Sequence, residues 1–188
     1  MRTIPLLVVV SLAACGGPGS VDGKVKGQNY AVSSSASAAV TLTVATTQLH
    51  GAAIAMTSTG GLCADLGANT VHPGQQYVTI FLSDVNNLTF STPTVPGTYS
   101  IYQSNTSPPP KAATMSLGTY DATCQKIDSQ SAAASSGTVM LDTVSGNKFA
   151  GTFDVVLDSG DHVTGEFDPQ ECPGIQTAIN SGDQAVCK

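Results

Sequence analysis

The chain contains no Trp, and aromatic residues make up only 5% and charged residues only 11% of its 188 positions. Each shortage excludes something. Sugar-binding surfaces usually rely on large aromatic platforms laid over an apolar sugar face, so the lack of Trp disfavours carbohydrate recognition. Scarce charge leaves little material for exposed helices laced by ion pairs, whereas the many Ser, Thr, Ala, Gly and Val residues favour strands and turns. Positive charge is especially thin, with 7 Lys plus Arg against 13 Asp plus Glu. No basic stripe is available to displace counterions from phosphate, which excludes nucleic acid as a partner.

Missing motifs narrow the chemistry further. There is no Cys-x-x-Cys or Cys-x-x-His spacing for zinc, no His-Glu-x-x-His, no calcium-binding Asp-x-Asp-x-Asp loop and no phosphate-cradling glycine loop. No serine sits in a Gly-x-Ser-x-Gly elbow, so an exported hydrolase is only a minor alternative. Of the three histidines, His50 falls at an expected turn and His72 precedes Pro73-Gly74, both ordinary loop positions, while His162 falls on an expected strand. No catalytic residue and no cofactor is expected.

What is present begins with an export signal. Met1-Arg2-Thr3 is followed by an apolar run over 4–10 and then Ser11-Leu12-Ala13-Ala14-Cys15, too short a run to span a bilayer. Leu12-Ala13-Ala14-Cys15 resembles the lipobox of bacterial lipoproteins. The resemblance implies a diacylglyceryl thioether on Cys15, cleavage before it and acylation of the new amino terminus. Gly16 after that cysteine implies sorting to the outer membrane. Residues 1–14 then form the signal peptide, 15–20 the lipidated cysteine with a flexible tether, and 21–188 one domain. Loss of Arg2 leaves 6 cations against 13 acids, a net charge of −7. Anionic headgroups would repel such a body, so the acyl chains do the anchoring, at about 0.8 kcal/mol per buried methylene.

With Cys15 acylated, Cys63, Cys124, Cys172 and Cys187 remain, an even number in an oxidising compartment, and two disulfides are expected. Three connectivities are open. The favoured one joins Cys172 to Cys187, closing a C-terminal loop, and Cys63 to Cys124.

Alternation of apolar and polar residues predicts strands over 21–26, 38–47, 52–58, 76–85, 98–103 and 112–124, then three more around turns at 145–147 and 159–161. Leu62 and Leu66, four apart and followed by Gly67, predict a helical turn over 62–67. Residues 129–136 read as a small-residue linker. Residues 104–110, with three prolines, read as a surface loop and a candidate for partner contact, and Asn87-Leu88-Thr89 as an exposed turn. The expected fold is all-β, a single antiparallel β-sandwich or flattened barrel.

Register in the last strands can be argued from face. Three-residue turns ending in Asn147 and Asp161 would set Thr143 opposite Phe149, Leu141 opposite Gly151, Val139 opposite Phe153, Leu157 opposite Val163, Val155 opposite Gly165 and Phe153 opposite Phe167. Asp142, Asp154, His162, Glu166 and Asp168 would then point outward, His162 opposite Asp158 and Glu166 opposite Asp154. Two carboxylates facing each other are tolerated on a solvated ladder or bridged by a cation, which makes Asp154 and Glu166 the candidate metal ligands. The functional expectation is an envelope-anchored lipoprotein with a noncatalytic binding or structural role, contacting an envelope protein or extracellular ligand. A carrier holding a small hydrophobic ligand in a barrel cavity is the alternative.

Overall fold

A computed structural model describes residues 18–44, 47–103, 106–182 and 185–188. The signal segment, Cys15 with residues 16–17 of the tether, and residues 104–105 of the proline loop lie outside the described residues. Fourteen strands follow one another as β1 (Gly19–Val25), β2 (Gln28–Asn29), β3 (Ser34–Val44), β4 (Thr47–Thr57), β5 (Thr70–Val71), β6 (Gln76–Asn86), β7 (Thr89–Ser91), β8 (Gly97–Ile101), β9 (Lys111–Thr119), β10 (Ala132–Ser145), β11 (Lys148–Leu157), β12 (His162–Phe167), β13 (Gln170–Glu171) and β14 (Val186–Cys187). Helix α1 (Leu62–Ala68) precedes β5, a 3-10 turn (Asp128–Gln130) precedes β10, and helix α2 (Gly174–Ser181) follows β13. Among the described residues no helix is long and apolar enough to cross a membrane.

Twelve strands form one sheet in the order β13-β3-β4-β6-β9-β8-β10-β11-β12-β1-β2, with β7 beside β6. It is mixed rather than wholly antiparallel, because β13–β3 and β8–β9 run parallel. The sheet curls into a half-barrel, so one face turns inward everywhere. Alternate residues supply that inner face: Ala52, Ile54 and Met56 of β4, Val78, Ile80 and Leu82 of β6, Val139 and Leu141 of β10, and Phe153 and Val155 of β11. Tyr99, Phe149, Phe167 and Leu157 among them are fully buried, each worth about 1.5–3 kcal/mol of transfer free energy. The curl is closed by two buried serines of β3. Ser37 donates to Asn147 O and accepts from Phe149 N, at 3.0 and 3.2 Å, tying β3 to the start of β11, and Ser35 donates to Pro18 O.

Helices α1 and α2 cover the outer face of β3 and β4. Leu62, Ile175 and Cys172 pack there on Ala36, Ala38 and Val40. Helix α2 replaces the C-terminal loop expected from the sequence. Its signal is legible afterwards: Pro173 at the N-cap, Ile175, Ala178 and Ile179 on one stripe, and Gly182 at the C-cap. Helix α1 confirms the helical turn over 62–67, but it runs on through Gly67 to Ala68 and is capped by Asn69 in the left-handed conformation, at φ 51°.

Three further expectations need correction. The disulfides are Cys63–Cys172 and Cys124–Cys187, not Cys172–Cys187 and Cys63–Cys124. Helix α2 follows Cys172 directly and packs on α1, holding Cys172 against Cys63. An eight-residue helix rises about 12 Å, so it carries the chain away from Cys172 before β14 pairs with β5 and brings Cys187 to Cys124. In the chain-entropy model, loops of 109 and 63 residues contribute roughly 4–5 kcal/mol each. Residues 129–136 are no linker: β10 begins at Ala132, and Ala132 and Ala134 are buried on the inner face, where their small size lets β10 cross close to β9.

The last correction concerns the turns. The β10–β11 turn has two residues, with Ser145 opposite Lys148 and Gly146 at φ 61°, the glycine-first pattern of a tight hairpin. A bulge between Leu141 and Thr143 restores the expected pairs Leu141–Gly151 and Val139–Phe153. The β11–β12 turn keeps three residues but lies one position earlier, ending at Gly160 and not Asp161, because Leu157 N donates to Asp161 O and Gly160, at φ 86°, takes the left-handed conformation. The register therefore slides by two, which preserves every face. Phe153 now lies opposite Gly165, where an added Cβ would sit 2.4 Å from its ring.

Candidate functional site

The outward residues are where the pattern put them, but not in the expected pairs. Asp154 lies opposite Thr164 and Glu166 opposite Thr152, so the two carboxylates do not face each other. His162, opposite Val156 rather than Asp158, reaches diagonally to Asp154, its Nε2 2.7 Å from Oδ1. Both are exposed. Among the described residues no three His, Cys, Asp or Glu side chains gather as a metal site, and the register makes Asp154 and Glu166 diagonal neighbours rather than a facing pair. His50 hydrogen-bonds Thr41 at 3.0 Å on the neighbouring strand. The hydroxyl and carboxylate partners found for the three histidines are Thr41, Asp65 and Asp154, and no serine is among them.

A buried cluster that sequence reasoning missed surrounds Asp65 of α1, which is 4% exposed. His72 Nε2 lies 2.9 Å from its Oδ2, while Thr70 Oγ1 and Lys188 Nζ each donate to its Oδ1 at 3.2 Å. Burial pushes the Asp65 pKa up, yet the hydrogen bonds from His72, Lys188 and Thr70 together outweigh it and leave it below the usual carboxylate value. The arrangement ties the C-terminal residue and β5 to α1 beside both disulfides. It is a fastening of three segments around one buried carboxylate.

The outer face offers a different kind of site. Helix α2 lies along β3 and leaves β4, β6 and β9 uncovered beyond it, producing a groove of about 590 Å³. Its wall is the Ile175, Ala178 and Ile179 stripe of α2 with Leu66 of α1. Its floor is Ala53 and Ala55 of β4, Thr79 and Phe81 of β6, and Thr114 and Ser116 of β9. Small side chains on the floor keep the sheet low, and Phe81, opposite Ala53, is admitted because Gly51 two residues along β4 has no Cβ, which would otherwise meet its ring at 2.3 Å. No lining residue carries formal charge, and the polar pair Thr79–Ser116 satisfies itself across 2.7 Å. A largely apolar, uncharged surface is thus left open. The chemistry it can do is burial of another apolar surface.

The interior does not offer the same. Where a barrel carrier needs a hollow, the inside of the curl is packed with the aromatic and branched side chains of the core. The Pro108-Pro109-Pro110 stretch runs along the surface, with Val85 N donating to Pro110 O at 2.7 Å, and Asn87 and Leu88 form an exposed left-handed turn between β6 and β7, as expected. No family model matches the chain, and neither the curated proteins nor the solved structures yield a match.

Proposed function

We propose that the chain is an outer-membrane lipoprotein, held by acyl groups on Cys15, that works noncatalytically by binding an apolar segment of another envelope protein in the groove beside α2. The observation carrying this reading is the uncharged, open groove set on a body whose interior is already filled. A filled core leaves the surface as the place of recognition, and an exposed apolar patch on an otherwise polar sheet marks a contact surface. Exported localisation rests on the signal and lipobox residues, and the two disulfides agree with folding in an oxidising compartment.

Site-specific photocrosslinking tests it. A photoreactive residue at Thr114 or Ala178, on the groove, is expected to give one discrete protein adduct in native envelopes. The same residue at Thr164, on the outer face of β12, is expected to give none. Equal adducts from all three positions, or none from any, would overturn the groove as the binding surface. A lipid-sized adduct from the groove would transfer the reading to a carrier of small apolar ligands.

A further inference from the structure

We infer that the end of the body bearing the Ser145–Lys148 turn rests on the membrane surface, and that the opposite end, with the β11–β12 loop, points away from it. This rests on the lipid-anchored reading. The argument begins at Pro18. Its carbonyl accepts hydrogen bonds from Ser35 Oγ and from Asp168 N, so the chain is docked on the body from that residue onward. Gly19 is wedged as well: a Cβ there would lie 2.4 Å from Glu166 O and 2.9 Å from Met56 Cε. From Gly19 to Gly23 the chain is paired with β12. Only Gly16 and Gly17 therefore separate Cys15 from the first docked residue. Three virtual bonds span at most about 11 Å, so the acylated cysteine cannot lie farther than that from Pro18.

Register then says which end this is. Gly19, Phe167, Gly151 and Leu141 lie side by side across β1, β12, β11 and β10. From that row the β10–β11 hairpin continues to the Ser145–Lys148 pair, three residues beyond Gly151, or about 10 Å. The hairpin tip protrudes about as far as the tether can reach. The body is thereby held with this tip at the level of the headgroups. In the other direction β11 runs six residues from Gly151 to Leu157, about 20 Å, placing the Asp158–Gly160 loop and the Lys26-Gly27 turn on the far side.

The chemistry of the near end fits a zwitterionic lipid surface and no deeper insertion. Lys148 pairs with Asp168, and Asn147 donates to Glu171 at 2.7 Å, so this hairpin tip is polar and internally paired. Contact there is enforced by the short covalent tether and not by affinity of the surface for lipid.

The test uses the native lipidated protein in phosphatidylcholine vesicles carrying a headgroup quencher. Fluorophores are placed on Ser145→Cys and Ser159→Cys, two exposed serines at opposite ends, with Thr143→Cys and Asp158→Cys as a second pair. The expected result is at least threefold stronger quenching at 145 and 143 than at 159 and 158. A twenty-residue Gly/Ser insertion between Gly17 and Pro18 should erase that difference. Equal or reversed quenching on a chain whose intact mass shows acylated Cys15 overturns the orientation alone, as does a difference that survives the insertion. A mass without acyl groups overturns the anchoring reading itself.

Discussion

At the scale of single residues, positions without a side chain shape this protein as much as those with one. Gly165 accepts the Phe153 ring, and a Cβ added there would sit 2.4 Å from that ring and 2.2 Å from Ser20 O. Backbone lies on one side and a packed ring on the other, so neither can yield cheaply. Gly165→Ala is expected to lower stability by about 1–3 kcal/mol, read as a lower urea midpoint at unchanged slope. An unchanged midpoint would mean that the strand shifts freely. Asp65 illustrates the opposite case, a charge kept inside because three donors meet it. Its folded-state pKa lies below its ordinary value of 3.8. Its contribution is therefore present above about pH 4 and is lost as pH falls through the lowered folded-state value. Asp65→Asn should reduce stability at neutral pH and flatten the loss of stability on acidification, measured as unfolding free energy from pH 7 to pH 2. A variant with the wild-type slope would show that Asp65 does not supply it.

At the scale of elements, the edge of β3 shows how a strand is ended. Beyond its pairing with β13, the Gln176 side chain takes the place of a neighbouring strand: its Oε1 accepts from Thr41 N at 2.8 Å and its Nε2 donates to Thr41 O at 3.1 Å. An amide side chain has the donor and acceptor of a peptide group, so helix α2 caps the edge that would otherwise template another strand. Gln176→Ala should cost about 1 kcal/mol and speed hydrogen exchange at the Thr41 amide; unaltered protection of that amide would refute the capping role. The elements also show how far pattern reading extends. Alternation identified the inner faces of β6, β10 and β11, including Val78, Ile80, Leu82, Val139 and Phe153, because period two depends only on neighbours in sequence. It did not fix which residue of a turn goes left-handed. Gly146 and Gly160 took that place over Asn147 and Asp161 because the absence of Cβ removes the steric cost. Helix α2 was readable in its Ile175–Ile179 stripe, but eight residues between two cysteines also read as a closed loop.

At the scale of the whole molecule, the curl must be held where distant strands meet. Ser37 does this from β3, bonding both Asn147 O and Phe149 N at the start of β11. Ser37→Ala leaves the buried Phe149 amide unpaired and should cost about 1–3 kcal/mol, with faster hydrogen exchange at Phe149 while the β10–β11 pairs farther along the strand keep their protection. A uniform change would place the effect elsewhere. The groove belongs to the same scale: its wall comes from residues 175–182 and its floor from 53–116, and no local window contains both. The sequence by itself determined an all-β body, the side chains facing inward, the outward acids and an even set of cysteines, since periodicity, composition and parity are properties of the chain alone. Only the tertiary structure decided that the sheet curls, that Cys63 meets Cys172 and Cys124 meets Cys187, and that Asp154 and Glu166 lie diagonally rather than face to face. Those outcomes depend on where segments a hundred residues distant come to rest, and that is set by the packing of α2 on α1 and of β3 against β11.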